Sequence, residues 1–296
     1  MSTQTPAARA GLEPGRALAF LVGLVDDAAA FPPGALTVGQ SVPAHREHRG
    51  APYGVVVGPL LAPVSRLGEV LDALDAERTS EPLDLVLVAD TGLVEAAEAR
   101  AVLLDDDRVE VLGLEVALPV EGPLGDSARL TLETLDFALP AAVEVPRAPG
   151  WRDALDVLAD DGAERARFRT GGATAAHHPT EAELAEVLVA AVRRRLAFKL
   201  TAGLHHALRG TDADTGFEQH GFLNVLAATA AALDGSGERA VAAHLAERDA
   251  VPLLARLSDA DPTAVRRLFT SFGSCSISDP VSDLRGLGML DEEKRR

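Results

Sequence analysis

Apolar runs rich in β-branched residues alternate along this chain with segments of helical periodicity, and this alternation restricts the fold more than any other feature. Neighbouring parallel strands need a helical crossover between them, so the pattern is typical of βα units around a parallel sheet. It predicts seven strands before residue 205. They are expected at Phe20–Val25, Tyr53–Gly58, Leu83–Ala89, Val109–Ala117, Ala141–Val145, Ala166–Thr170 and Phe198–Ala202.

Helices are predicted between these strands, and two of them begin at recognisable capping signals. The predicted helices include residues 64–76, 151–159, 180–195 and 217–233. Thr180, with an acidic residue three positions later, has the pattern of a capping box. Asp90-Thr91 is interpreted as the N-cap of the helix that follows the third strand.

The alternation changes after Gly237, where two or three helical segments follow one another through about Arg267. Phe269–Gly273 then supplies an eighth strand. The sequence therefore predicts a (β/α)8 TIM-type barrel with extra helices before its last strand. The chain of 296 residues suits one such domain, with flexible ends at residues 1–15 and 291–296. A Rossmann-type open sheet is the alternative, and the missing glycine-rich fingerprint after the first strand disfavours it.

The composition restricts which binding partners the protein can have and in which cellular compartment it is expected. The 45 acidic residues outnumber 28 basic ones, and the net charge of −17 would repel nucleic acid. No run of about 18 apolar residues is present, so no membrane span is expected. A single cysteine and an amino-terminal segment unlike a signal peptide favour a cytoplasmic protein. The sequence allows a homo-oligomer without specifying one.

Charged residues collect where the predicted strands end, which is where barrels of this type carry their active sites. Arg167 and Arg169 share one face of the sixth strand, and Lys199 and Thr201 share one face of the seventh. Three cations facing inward need counter-charges. The acidic candidates are Asp26, Glu115 and Glu144. Two interpretations remain open: a structural ion-pair network, or a site that binds an anionic substrate.

If the fold is a barrel, Lys199 is the candidate nucleophile. Apolar neighbours flank it in Ala197-Phe198-Lys199-Leu200, which favours burial, although a lysine on an exposed edge strand is the alternative. Burial beside two guanidinium groups is expected to depress the pKa of its amine and to make it reactive toward carbonyl compounds. Nearby acids such as Asp26 would act in the opposite direction.

Three histidines follow the seventh strand, namely His205, His206 and His220, and Asn224 lies just beyond them. Imidazole is a common metal ligand, so a metal-dependent hydrolase is one hypothesis. Their spacing matches no metal-binding motif, and we expect hydrogen bonding to a substrate instead, with no tightly bound metal and no cofactor. Capping and packing are the other alternative.

Loops of small residues follow the sixth, seventh and eighth predicted strands. Backbone N–H groups in such loops often hold phosphate near the last two strands of a TIM barrel. The candidates for substrate binding are Thr170, Gly171, Gly172, Gly203, Gly273, Ser274, Cys275 and Ser276. Cys275 is also a conceivable nucleophile, but most lone cysteines are inert packing residues.

Several short motifs resemble those of the deoxyribose-phosphate aldolases. The segment 160–174, which includes Arg167-Phe168-Arg169-Thr170-Gly171-Gly172-Ala173-Thr174, is similar to their sixth-strand region. Lys199-Leu200-Thr201-Ala202-Gly203 is similar to their seventh strand. Weaker similarities lie at Leu24-Val25-Asp26, Val55–Pro59 and Val143-Glu144-Val145. Asp26–Pro33 and Lys199–His206 also resemble an uncharacterised bacterial family.

The resemblance implies a class I aldolase barrel in which a sixth-strand lysine forms a Schiff base, assisted by the seventh-strand lysine and an aspartate. In this chain Arg167 stands at the Schiff-base position. A guanidinium group stays protonated and cannot act as that nucleophile. The helices around Glu238–Arg267 have no recognised counterpart in the family.

The preferred hypothesis is a divergent aldolase-like lyase or isomerase that acts on a small anionic carbonyl metabolite carrying phosphate or carboxylate. Lys199 would be its nucleophile or acid/base, and Asp26, Glu115 and Glu144 would orient or transfer protons. Arg167 and Arg169 would hold the anion. A non-catalytic small-anion-binding barrel is the alternative, and the histidine-based hydrolase is a third hypothesis.

Overall fold

Eight parallel strands close into a barrel in the computed structural model, which describes residues 4–34, 36–79, 81–135, 139–162 and 165–291. The strands are β1 (Val25–Asp27), β2 (Val57–Pro63), β3 (Leu83–Val88), β4 (Val109–Ala117), β5 (Ala141–Glu144), β6 (Arg165–Arg169), β7 (Phe198–Thr201) and β10 (Phe269–Ser274). Their order around the barrel is β1-β10-β7-β6-β5-β4-β3-β2. The predicted (β/α)8 fold is confirmed, and closure excludes the open Rossmann-type sheet.

Helices surround the barrel and fill the long connection before its last strand. They are α1 (Pro6–Arg9), α2 (Pro14–Leu21), α3 (Val38–Gly50), α4 (Leu67–Ala76), α5 (Leu93–Leu103), α6 (Leu124–Thr134), α7 (Trp151–Asp161), α8 (Glu181–Arg194), α9 (Phe222–Leu233), α10 (Glu238–Ala246), α11 (Ala250–Asp259), α12 (Pro262–Leu268) and α13 (Ser278–Leu287). The expected extra helices before the last strand are α10, α11 and α12. No helix in the described ranges is long and apolar enough to cross a membrane.

The main core lies between the outer face of the strands and the helices. Phe198 on β7 is fully buried there, and its ring stacks on Phe269 with centroids 5.5 Å apart. Phe222 of α9 stacks in the same way on Phe272 of β10, at 5.3 Å. These pairs attach the last strand to the preceding strand and to a helix that is buried along nearly its whole length.

Two predicted strands begin later than expected. Phe20 and Leu21 belong to α2, whose helix starts at Pro14, a residue well suited to a first turn. Their apolar side chains are buried from a helix and not from a strand. The second strand begins at Val57, because residues 54–56 form a 3₁₀ turn, and it continues to Pro63.

Of the two helix caps predicted from the sequence, one is confirmed and one is wrong. The capping box at Thr180 is confirmed, with Thr180 N donating to Glu183 and Glu183 N donating to Thr180 Oγ1. The cap predicted at Asp90-Thr91 is wrong: α5 starts after Gly92, and Asp90 accepts a hydrogen bond from Ser65 N at 3.0 Å.

The segment after β7 also differs, because a short hairpin of β8 (Gly210–Thr211) and β9 (Glu218–Gln219) delays α9 to Phe222. Part of the amino-terminal segment expected to be flexible is helical, in α1 and the start of α2. The predicted flexible tail falls at residue 291 and at positions 292–296, and the latter lie outside the described residues.

The stability of the barrel should depend on the aromatic stack behind β7. Phe198→Ala should lower the free energy of unfolding by about 3–5 kcal/mol, because the ring is fully buried and its removal leaves a cavity. Denaturant unfolding followed by circular dichroism measures the loss. Val94→Ala on α5 is the control, since that side chain is 68% exposed and should change stability by less than about 0.5 kcal/mol. Equal effects of the two substitutions would contradict this packing.

Candidate functional site

Three cations and three carboxylates meet inside the barrel near the carboxyl ends of its strands. The cations are Arg167 and Arg169 on β6 and Lys199 on β7; the carboxylates are Asp26 on β1, Glu115 on β4 and Glu144 on β5. Register explains the convergence, because Glu144, Arg167 and Lys199 are direct neighbours on adjacent strands. We call these six residues the central charge network.

Lys199 is buried within this network. Its Nζ is 2.5 Å from Asp26 Oδ2 and also contacts Glu115 Oε1, and its side chain is only 4% exposed. Ser271 on β10 donates a hydrogen bond to the same Asp26 oxygen at 2.8 Å. Gly58 on β2 leaves the room for this carboxylate, because a Cβ there would collide with Asp26 Oδ1.

The guanidinium group of Arg167 bridges two carboxylates, donating through Nη1 to Glu115 and through Nη2 to Glu144. Arg169 is different: its side chain is 41% exposed, and its Nε donates to Glu144 Oε1 at 3.1 Å. Both arginines were expected to face inward and to need counter-charges. Arg167 is buried and has two carboxylate partners, whereas Arg169 reaches solvent.

The expected depression of the Lys199 pKa is also wrong. Burial lowers the pKa of Lys199, but the charges of Asp26 and Glu115 outweigh it and raise the value above the ordinary one. Burial raises the pKa of Glu115, yet Lys199 and Arg167 together lower it to about 2. Glu115 and Glu144 form ion pairs with the two arginines, and they offset the positive charges that were expected to repel the ammonium group. Lys199 is therefore an ammonium ion at neutral pH.

The small residues at the strand ends mainly hold loops together. Thr170 Oγ1 donates to Ala202 O at 2.6 Å, and the backbones of Gly171 and Gly203 approach so closely that a Cβ on Gly171 would lie 2.6 Å from Gly203 Cα. A Cβ on Gly172 would collide with His177. The glycines thus permit close backbone packing between the loops after β6 and β7.

The loop after β10 is also internally bonded. Ser274 Oγ donates to Ser276 O at 2.7 Å, and Ser276 Oγ accepts from Asp279 N at the start of α13. Cys275 Sγ lies 3.7 Å from His205 Nδ1. Burial raises the pKa of the Cys275 thiol and lowers that of His205, so the two groups are neutral and no thiolate forms.

The other histidines do not join His205. His206 is exposed and pairs with Asp283 at 3.1 Å, whereas His220 is buried with its Nε2 2.9 Å from Pro179 O. Burial lowers the pKa of His220 to about 4. Asn224 accepts from Arg209 N at 2.8 Å and donates to the carbonyl oxygens of His244, in the last turn of α10, and of Glu247, which follows the helix. In the described part of the chain, no three His, Cys, Asp or Glu side chains are grouped to hold a metal ion.

Sequence reasoning missed Ser271, which shares a strand face with Gly273, and the buried pair formed by His45 Nδ1 and Asp27 Oδ2 at 3.1 Å. It also missed a compositional signal: only Lys199 and Lys294 among the 28 basic residues are lysines. In a chain that uses arginine almost throughout, a lysine between apolar strand residues marks a place where a compact ammonium group is needed.

A cavity of about 1280 Å³ lies at the opposite end of the barrel, where β2 and β3 begin. Some charged residues in its wall are paired with each other, as Arg49 is with Asp84 at 3.3 Å and Arg46 with Glu77 at 3.2 Å. Active sites of TIM barrels lie at the carboxyl ends of the strands, so the central charge network is the better candidate.

Comparisons of the chain with protein-family models, with curated proteins and with solved structures find no match. The resemblance to deoxyribose-phosphate aldolases therefore rests on short sequence motifs alone, of which those around β6 and β7 are the more specific. The barrel itself is independent of that resemblance, since it follows from the strand pairing.

Glu115 should make stability strongly dependent on acid pH. Its folded pKa of about 2 lies below the ordinary value of 4.5, so its ionised form stabilises the fold above about pH 4.5, and this contribution is lost as the pH falls toward 2. Glu115→Gln should lower the free energy of unfolding by about 3–5 kcal/mol near pH 7. Denaturant titrations should show this difference shrinking as the pH decreases. Glu110→Gln, exposed on the same strand, is the control, and a constant difference for Glu115→Gln would contradict the pairing.

Lys199 should resist imine formation in the folded protein. Treatment with a small 2-oxo acid and borohydride, followed by peptide mass mapping, should leave Lys199 unmodified because its amine is protonated and held by two carboxylates. Glu115→Gln should increase the labelling by removing one carboxylate. The same treatment in denaturant is the positive control. Efficient labelling of Lys199 in the native wild-type protein would overturn the assigned protonation.

Proposed function

We propose that this barrel binds a small anionic carbonyl compound at the carboxyl ends of its strands and acts on it as a lyase or isomerase. The observation that carries the proposal is the central charge network, whose buried part is internally paired and whose uppermost cation, Arg169, is 41% exposed. A guanidinium group that reaches solvent above a buried network is a suitable contact for carboxylate or phosphate.

The depth of the network supports a functional origin. Desolvating charged groups is costly, and apolar residues of similar volume often stabilise a protein equally well. Interiors of TIM barrels are commonly filled with layers of branched apolar side chains. The six charged groups at the carboxyl ends of these strands depart from that apolar filling, and a site for a small anion accounts for them.

Binding of an anion to Arg169 would change the state of Glu144. This carboxylate accepts hydrogen bonds from Arg167 and Arg169, whose charges outweigh burial and lower its pKa. An anion that binds Arg169 draws this guanidinium group away from Glu144. Glu144 then has one neighbouring cation instead of two, so its pKa rises toward that of a useful base. Substrate binding would in this way activate the base.

The resulting step is proton abstraction next to a carbonyl group. Glu144 accepts the proton from the carbon, the C–H electron pair moves into a carbon–carbon double bond, and the carbonyl oxygen becomes an enolate oxygen. The Lys199 ammonium group stabilises that developing charge. Asp26 and Glu115 act as positioning residues that keep Lys199 protonated and oriented. Both aldol cleavage and isomerisation proceed through such enolates.

A non-catalytic anion-binding barrel is the second candidate, and one observation favours it. The pKa of Lys199 is raised and that of Glu115 is lowered to about 2, whereas acid–base catalysts work best near the operating pH. Binding without turnover would fit groups that hold their protonation state permanently.

Two measurements separate these candidates. Calorimetric titration with pyruvate should show binding that weakens at least tenfold in Arg169→Gln, because the anion loses its contact, and that is unchanged in Arg152→Gln on the outer helix α7.

The second measurement is exchange of the pyruvate methyl protons for deuterium, followed by NMR in D₂O, which the wild type should catalyse. Glu144→Gln should abolish the exchange while it retains binding. Binding without exchange would select the non-catalytic barrel, and the absence of binding by either pyruvate or phosphate would reject both.

A further inference from the structure

The barrel mouth has two chemically different walls. Ala28, Leu61 and Val86 form a buried apolar cluster separate from the main core, and Phe31 and Val88 pack against it while they remain partly exposed. Leu61, Val86 and Val88 belong to the last three residues of β2 and β3, and Ala28 directly follows β1. This cluster, here called the apolar wall, therefore lies at the same end of the barrel as the central charge network.

Gly273 on β10 connects the apolar wall with the charged side. A Cβ placed on Gly273 would lie 3.4 Å from Leu61 Cδ1, 4.0 Å from Ala28 Cβ and 3.8 Å from Thr201 Oγ1. Thr201 is in turn the direct strand neighbour of both Gly273 and Arg169. One continuous layer thus runs from the apolar wall across a glycine to a threonine and an exposed arginine.

The charges in this layer favour a singly charged ligand. Lys199 and Arg167 are held by carboxylates beneath the mouth, so Arg169 is the cation of the central charge network that reaches solvent. Its planar guanidinium group matches the two oxygens of a carboxylate. A phosphate dianion would meet one cation within a network whose charges already balance, in a chain of net charge −17.

The apolar wall determines what the rest of the ligand resembles. None of its five members carries a polar side-chain atom. A polyhydroxylated body would lose hydration there without recovering hydrogen bonds, whereas a hydrocarbon body would gain from burial.

We infer that the ligand of this site is a small monocarboxylate with a hydrocarbon body, in the class of aliphatic 2-oxo acids, and not a phosphorylated sugar. This inference rests on the proposed function, because it names the substrate class of the same site. The carboxylate contacts Arg169, the adjacent carbonyl group lies beside Thr201 with its oxygen toward Lys199, and the hydrocarbon chain covers the apolar wall.

A homologous series tests the substrate class. Dissociation constants would be measured by calorimetry for pyruvate, 2-oxobutanoate, 2-oxopentanoate and 4-methyl-2-oxopentanoate, with glyceraldehyde 3-phosphate and inorganic phosphate as the competing class. The dissociation constant should fall about fourfold for each added carbon that reaches the wall. Both phosphate compounds should bind more weakly than 2-oxopentanoate.

Val88→Thr supplies the matched variant, since it replaces one methyl group with a hydroxyl group of similar size on a partly exposed residue. It should flatten the chain-length dependence, because it weakens the binding of 2-oxopentanoate and 4-methyl-2-oxopentanoate more than that of pyruvate. Val94→Thr, on the exposed face of α5, should leave the chain-length dependence unchanged. Loss of the chain-length dependence in both variants, or its retention in Val88→Thr, would contradict the assignment of the wall.

The outcomes separate this inference from the proposal on which it rests. Binding of pyruvate with no dependence on chain length, or tighter binding of the phosphate compounds, would overturn the hydrocarbon-bodied ligand while anion binding at Arg169 stands. The absence of binding by every anion would overturn both.

Discussion

The interior of this barrel depends on one ammonium group and its two carboxylates. Lys199 lies between Asp26 and Glu115, which come from β1 and β4, and Glu115 continues through Arg167 to Glu144 on β5. None of these groups is stable alone at that depth, because removing a partner leaves an uncompensated buried charge. The registers of the strands that carry these groups therefore depend on one another. Asp26 and Lys199 are 173 positions apart in the sequence, and they meet because β10 closes the barrel between β1 and β7.

Much of the fold followed from periodicity because the strands of a TIM barrel are local, apolar and separated by helices. The alternation also indicated the right inward face: Arg167, Arg169 and Lys199 lie together as their spacing predicted. Local pattern was insufficient at Phe20 and Leu21, where an amphipathic helix and a buried strand both contain adjacent apolar residues. Only the packing of α2 against the rest of the molecule decides between them.

The electrostatics of the site could not be predicted in the same way. Strand alternation shows which residues point inward, but it does not show which acid from another strand meets which base. From the sequence, two arginines beside Lys199 indicated repulsion; in the structure Glu115 and Glu144 absorb their charge, and the sign of the Lys199 pKa shift is reversed. The pairing therefore depends on a strand register that the linear pattern leaves open, although removing one partner would destabilise the fold by about 3–5 kcal/mol.

The distribution of arginine and lysine within the network has a geometric reason. A guanidinium group presents several donors in one plane, so Arg167 can reach Glu115 and Glu144 at once, whereas Lys199 places a compact charge between two converging carboxylates. An amine at position 167 could not span the two glutamates in this way. Arg167, which stands at the Schiff-base position of the resembled aldolases, therefore helps to keep two carboxylates ionised, because its charge lowers the pKa of both Glu115 and Glu144.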